Sequence, residues 1–239
     1  MRKLLISAFG AVLVGLTLIW SQPSTAWLAQ RGSGGGGGGI TFVASAHGFG
    51  LTDPTTANVN MSTANFIVLN VSAAAPPASI DDSQGNTYTS TSNCGSATIA
   101  GCLYYKYAPT VSSSMHWTVH GTVAASIQVL GFSGTTGSGI DQDNTQAFNS
   151  GAATTCPTNT ITPSAGAVVI SGVSFQNDGG SATYSIDNSF ALTVFDPFVA
   201  ATAEGGGIAY KLGVVGAITP TWTDTGTSSP VICSLTSFL

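Results

Sequence analysis

Phe66-Ile67-Val68-Leu69 is an unbroken apolar run, closed by Asn65 on one side and Asn70 on the other. It is too short for a helix of ordinary length, and two of its four residues are β-branched. A strand with one wet face alternates apolar and polar side chains. A continuous run is what a strand covered on both faces requires. Val168-Val169-Ile170 has the same character, and the N-terminal run is expected near the middle of its sheet. Elsewhere the alternation is visible. In 114–120, Met115, Trp117 and Val119 point one way and His116, Thr118 and His120 the other. In 217–223, Ile218 and Trp222 share a face against Thr219, Thr221 and Thr223, and in 230–237 Val231, Cys233 and Leu235 alternate with Ile232, Ser234 and Thr236. Met115, Trp117 and Val119 are assigned to core, as is Trp222.

Working outward, twelve short runs read as strands: 40–46, 65–72, 86–90, 102–108, 114–120, 125–133, 167–176, 182–186, 190–195, 207–212, 217–223 and 230–237. Gly, Asn, Asp, Ser and Pro separate them. Asn177-Asp178-Gly179-Gly180 is the best local hairpin turn. No window after residue 40 places apolar residues at i, i+3, i+4 and i+7. The expected fold is all-β, a two-sheet β-sandwich of jelly-roll type with about twelve strands. About 200 residues suffice to bury roughly 70% of the unfolded surface.

Composition narrows the function. Charged residues make up 6% of the 239, against about 25% in ordinary domains. With five basic residues and ten acidic ones, no basic patch of the size nucleic acid requires can be assembled. Arg2 and Lys3 precede an uncharged apolar stretch, Leu4 to Trp20, and Ser24 and Ala26 stand where signal peptidase reads small residues. Residues 1–26 therefore read as a signal peptide, 27–39 with six consecutive glycines as a flexible linker, and 40–239 as the sandwich domain. After removal of 1–26, three basic residues face ten carboxylates, a net charge of −7. No further segment is apolar enough to span a bilayer as a helix, so a secreted or cell-surface protein with no membrane anchor after cleavage is expected.

Cys94, Cys102, Cys156 and Cys233 all fall in that domain and fit an oxidising compartment. Four cysteines allow three connectivities; Cys94–Cys102 with Cys156–Cys233 is the favoured one. Neither C-x-x-C nor a His pair at zinc-finger spacing is present. His116 and His120 lie about 13 Å apart on a strand, too far to share one metal.

Catalytic patterns are thin, and the chain reads as non-enzymatic rather than as an enzyme. Glycoside hydrolysis needs two carboxylates about 5–9.5 Å apart. The one Glu, Glu204, sits in a turn-like Ala203-Glu204-Gly205-Gly206, and Asp141-Gln142-Asp143 lies in a polar segment that reads as a loop. Asp141, Asp143 and Asn144 are candidate oxygen ligands for Ca²⁺, with Asp81, Asp82 and Asn86 a second group. Plain turn chemistry is the competing and preferred account of both, and no cofactor other than calcium is indicated. For a polysaccharide or cell-surface glycan, an exposed aromatic serves as a stacking platform. Tyr104, opposite in sense to Leu103 and Tyr105, is the best such residue. Lys106, His116 and His120 are polar positions on the same or neighbouring strands. Asn60-Met61-Ser62 and Asn70-Val71-Ser72 are sequons that matter only in a eukaryotic secretory host.

Asp82-Ser83-Gln84-Gly85-Asn86-Thr87-Tyr88, followed by Tyr104-Tyr105, Phe132-Ser133-Gly134 and Ile140-Asp141, resembles a recurrent exported domain of bacterial secreted proteins and phage structural proteins. The resemblance covers most of 40–239 and implies a β-sandwich with no assigned activity; it carries over no catalytic residue. The expected function is thus attachment or carbohydrate recognition at a surface. The alternatives are a structural subunit that self-associates through a sheet edge, and a polysaccharide-active enzyme in which Asp141 or Asp143 faces Glu204.

Overall fold

A computed structural model describes residues 39–92, 94, 99–122, 124–137, 139–176, 183–196, 204–226 and 229–239. The segment expected to be a signal peptide, 1–26, all of the expected linker but Gly39, and the turn expected at 177–180 lie outside the described residues. All regular structure among the described residues is β. The strands are β1 (Thr41–Gly50), β2 (Phe66–Ala73), β3 (Ser79–Asp82), β4 (Thr89–Ser90), β5 (Ala100–Tyr107), β6 (Trp117–His120), β7 (Ala125–Ser133) and β8 (Ile140–Ala153). They continue with β9 (Thr155–Pro157), β10 (Val168–Gln176), β11 (Tyr184–Ile186), β12 (Ala191–Asp196), β13 (Glu204–Leu212), β14 (Thr221–Asp224) and β15 (Ser229–Phe238).

Four antiparallel sheets result, where two were expected: β1-β7-β2-β5-β4, β12-β13-β10-β15-β8, β11-β14-β9 and β3-β6. The first large sheet comes wholly from the N-terminal half and the second wholly from the C-terminal half. Segment 55–59 joins the smallest sheet through bridges from Thr55 to Thr118 and Val59 to Met115. Counted in chain order with that segment included, each half has eight strands. In both halves the first, eighth, third and sixth form one sheet, and the second, seventh and fourth form the other. The fifth strand hydrogen-bonds to the sixth. That is a jelly-roll order, and it occurs twice in tandem.

The registers coincide. Phe66 pairs with Phe132 and Tyr107 as Val168 pairs with Phe238 and Leu212. Trp117 stands opposite Asp82 as Trp222 stands opposite Ile186. Ala108 and Gly213, each just after the sixth strand, both take positive φ.

Three apolar clusters follow from this stacking. Phe66, Val68, Leu103, Leu130 and Phe132 of the first repeat meet Val168, Ile170, Ile208 and Phe238 of the second. Ile67, Leu69 and Val71 point the other way, against Met61, Met115, Trp117 and Val119. In the second repeat Val169 and Val173 do the same against Trp222, Ile218 and Tyr184. The unbroken runs at 66–69 and 168–170 are therefore strands with two covered faces, as their sequence implies. Trp117 and Trp222 are fully buried. Cys94–Cys102 and Cys156–Cys233 are both bonded, one in each repeat, with Cα–Cα distances of 4.7 and 6.1 Å. The longer loop is worth about 4–5 kcal/mol on the chain-entropy account. Two disulfides fit an oxidising, extracellular setting, and no described helix is long and apolar enough to cross a membrane.

Two sequence expectations are corrected. Residues 140–153 form β8, an edge strand, where a polar loop was expected. An edge strand is paired on one side only, and polar or charged side chains are common along it. Glu204 opens β13 and is buried, where a turn was expected. The glycines that follow it, Gly205, Gly206 and Gly207, continue the strand.

Candidate binding site

The turn that follows β3 is built by one carboxylate. Asp82 Oδ1 accepts from the backbone N–H of Gln84 (2.9 Å) and Asn86 (3.1 Å), and Gly85 supplies the positive φ between them. Asp82 Oδ2 accepts from Asn86 Nδ2 (2.8 Å) and from Tyr88 Oη (2.6 Å). The Asn86 amide also donates to Thr110 O and accepts from Thr110 N, each at 2.8 Å. Trp117 Nε1 in turn donates to Tyr88 Oη (2.7 Å). Burial first, and then the bond to Asp82, push the Tyr88 phenol far above its ordinary value, so it stays neutral and its hydroxyl is committed. The Asp82–Tyr88 motif is thus a structural hub, and Asp82 and Asn86 have spent their oxygens on the turn.

What this hub fixes is the ring of Tyr88. With Tyr104 on β5, Ile80 and Ser79 on β3, and Pro77, Ala78 and Thr87, it lines a pocket of about 240 Å³ at the open side of the N-terminal jelly roll. Tyr104 is half-buried, and desolvation raises its pKa. The second repeat has Ala209 at the position of Tyr104, since Leu69 pairs with Tyr104 as Ser171 does with Ala209. There Tyr184 packs at a tilt against Phe175 on one side and Phe195 on the other.

Of the sequence-derived candidates, only Tyr104 lines the pocket. His116 Nδ1 lies 3.0 Å from Asn58 Oδ1, and His120 lies 3.1 Å from Asp81 and 3.5 Å from Asp53, on a partly exposed face of the β3-β6 sheet. The bond to Asp81, ahead of the smaller opposing effect of desolvation, holds the His120 imidazole above its ordinary pKa. Lys106 is on β5, two residues from Tyr104. Asp141 and Asp143 point at hydroxyls. Asp141 accepts from Ser164 Oγ (2.6 Å), Ser164 N (2.8 Å) and Ser237 Oγ (2.7 Å). Asp143 accepts from Ser92 Oγ (2.5 Å), Ser92 N (2.9 Å) and Thr236 Oγ1 (3.0 Å). Desolvation raises Asp141, but the Ser164 and Ser237 bonds outweigh it and hold the carboxyl below its ordinary value. Asn144 gives its amide to Thr160 O. Among the described residues no three His, Cys, Asp or Glu groups converge as metal ligands would. Glu204 on β13 is separated from Asp141 and Asp143 on β8 by β10 and β15. At about 4.8 Å per strand that is roughly 14 Å, beyond the spacing that glycoside hydrolysis requires.

A second polar constellation was not foreseen. Where the two repeats face each other, one end of the interface is polar. Asn70 Nδ2 donates to Gln128 Oε1 (2.9 Å) and to Val173 O (3.0 Å), and Gln128 Nε2 donates to Asp196 Oδ2 (2.7 Å). His47 Nδ1 lies 2.5 Å from Asp196 Oδ1, and Ser72 Oγ donates to Gly205 O (2.9 Å). Asn70, Gln128 and Asp196 are each no more than 1% exposed, whereas the His47 ring is half in water. Hydrogen bonding to Asp196 raises the His47 pKa against the opposing effect of burial. Glu204 is buried close by on β13, and desolvation lifts its carboxyl to about 8. The sequence signal was present: Asn70, Ser72, Ser126 and Gln128 occupy every second position of otherwise apolar strands. Asn70 is the acceptor residue of the second sequon, and its burial closes it to modification in the folded state, while Asn60 is exposed.

Comparison with protein-family models, curated proteins and solved structures finds no match for this chain.

Proposed function

We propose that this is a secreted, non-catalytic protein that attaches to a surface by recognising carbohydrate. The observation that carries the reading is the Tyr88–Tyr104 pocket: two aromatic side chains with small polar groups beside them, which is the composition of a sugar site. The acidic, charge-poor domain supports recognition by hydrogen bonds and apolar contact rather than by ionic attraction. The resemblance to exported sandwich domains and the expected signal peptide at 1–26 support the secreted part of the reading. Self-association through a sheet edge is the weaker alternative. Two of the edge strands, β1 and β12, carry register shifts, at Phe42/Ala44 and Leu192/Val194, and such bulges blunt edge pairing.

The test is retention of the mature chain on a panel of insoluble polysaccharides and cell walls, with Ca²⁺ and then with EDTA. Saturable retention on at least one glycan is expected. It should survive EDTA, because Asp141 and Asp143 already hold hydroxyl donors, and it should fall at least tenfold in Tyr104→Ala. Retention on none of them overturns the reading. Loss in EDTA would move the site to a calcium centre.

A further inference from the structure

The size and lining of the pocket say what class of sugar it takes, given the carbohydrate reading above. Its volume of about 240 Å³ falls below the roughly 300–1,000 Å³ of sites that hold drug-sized ligands, which leaves room for one ring rather than a chain of them. None of its lining groups is an amine or a carboxylate. The nearest acid in the hub, Asp82, faces away from any ligand because its two oxygens already take four hydrogen bonds. An ionised ligand would therefore lose its hydration and find no counter-charge. Tyr88 offers only its ring, because its hydroxyl is held between Asp82 and Trp117. Tyr104 offers a ring and a hydroxyl that has no protein partner among the described residues. The C–H groups on one face of a pyranose complement the negative face of such a ring, and Tyr104 Oη, Ser79 and Thr87 can meet its hydroxyls.

We infer that the Tyr88–Tyr104 pocket binds a single neutral pyranose, at the end of a glycan or as a side branch, and does not bind uronic acids or amino sugars with a free amine. The chain-end geometry follows from the same volume, since an internal residue would need a groove open at both ends.

The experiment is ligand-observed NMR of the full mature chain with methyl glycosides of glucose, galactose, mannose and N-acetylglucosamine, alongside glucuronic acid and glucosamine. Trp117 fluorescence gives an independent readout, because Trp117 is bonded to Tyr88. At least one neutral glycoside should bind saturably and displace the protein from the retaining polysaccharide. The charged sugars should bind at least tenfold more weakly. Tyr104→Ala should abolish binding, at some cost in stability because its ring packs against the core, and Tyr104→Phe should retain the stacking part of it with an unchanged unfolding midpoint. A protein retained on a polysaccharide but displaced by none of the neutral glycosides overturns the single-ring inference and leaves carbohydrate recognition standing. Equal binding of charged and neutral sugars overturns the neutrality. Retention on no glycan at all overturns both.

Discussion

His47 and Glu204 dominate how stability depends on pH, and the exposed His120, held above its ordinary value by Asp81, acts in the same direction. Because Asp196 raises the His47 pKa, the fold keeps a proton that the unfolded chain releases near its ordinary value of 6.5. The pair's contribution is complete below that pH and fades as pH rises through the folded value. Glu204 is neutral in the fold up to about pH 8, whereas in the unfolded chain it ionises near 4.5. Between those values the unfolded chain gains free energy that the fold does not. Asp141 acts oppositely, but its contribution is complete above 3.8. The melting temperature is therefore expected to be highest near about pH 5 and to decline towards about pH 8. Glu204→Gln should flatten most of that decline and His47→Asn a smaller part, read by calorimetry across the range. A melting temperature that rises from pH 5 to pH 8 contradicts both assignments.

At the scale of the element, β2 and β10 come close because glycine permits it. A Cβ added to Gly172 would lie 2.5 Å from Asn70 Oδ1 and 3.0 Å from Leu103 Cδ2. Both neighbours are in buried positions of the opposite repeat and cannot swing aside. Gly172→Ala should thus cost about 1–3 kcal/mol, the usual penalty of overpacking, and disturb the Asn70–Gln128–Asp196 chain of hydrogen bonds. Denaturant titration measures the first effect, and loss of the pH dependence that His47→Asn removes measures the second. An unchanged midpoint would mean the two sheets stand further apart than described. The elements also show what the sequence could and could not convey. The runs at 66–69 and 168–170 were legible because two covered faces leave an unbroken apolar signature. Trp117 and Trp222 were legible from alternation with threonine. Strands of three or four residues such as β3 and β9 left no period to detect, and β8 was hidden because an edge strand carries loop-like polar residues. Tyr104 was legible as the aromatic facing away from Leu103 and Tyr105. The His47–Asp196 pair was not, because 149 residues separate its members and nothing local in either strand points to the other.

The tandem arrangement governs the whole molecule. Its signature in the sequence is slight: Tyr105-Lys106 and Tyr210-Lys211, Trp117-Thr118 and Trp222-Thr223, each pair 105 positions apart. Between them lie surfaces that have diverged. The two repeats share the core around Phe66 and Phe238, whose ring centroids are 4.9 Å apart, and the edges are stitched by Asp196 to His47 on one side and Asp143 to Ser92 on the other. Neither large sheet can expose its inner face without losing that core. The repeats should therefore unfold together. With Trp27 of the mature chain replaced by Phe, variants keeping only Trp117 or only Trp222 report on one repeat each. Their denaturant transitions should coincide, and two separated midpoints would show that the repeats are independently stable. Phe238→Ala, which opens a cavity in the shared core, should lower both midpoints together, for a stability loss of about 3–5 kcal/mol.

Ala209 stands in one repeat where Tyr104 stands in the other, and that single difference separates two kinds of constraint. Each copy must still present a face that fits its twin, so changes on the inner sheets are answerable to both. The outer mouths owe nothing to that fit. A substitution can be accommodated in the N-terminal mouth, at Tyr104 or the residues beside it, while the C-terminal copy continues to hold the shape of the pair.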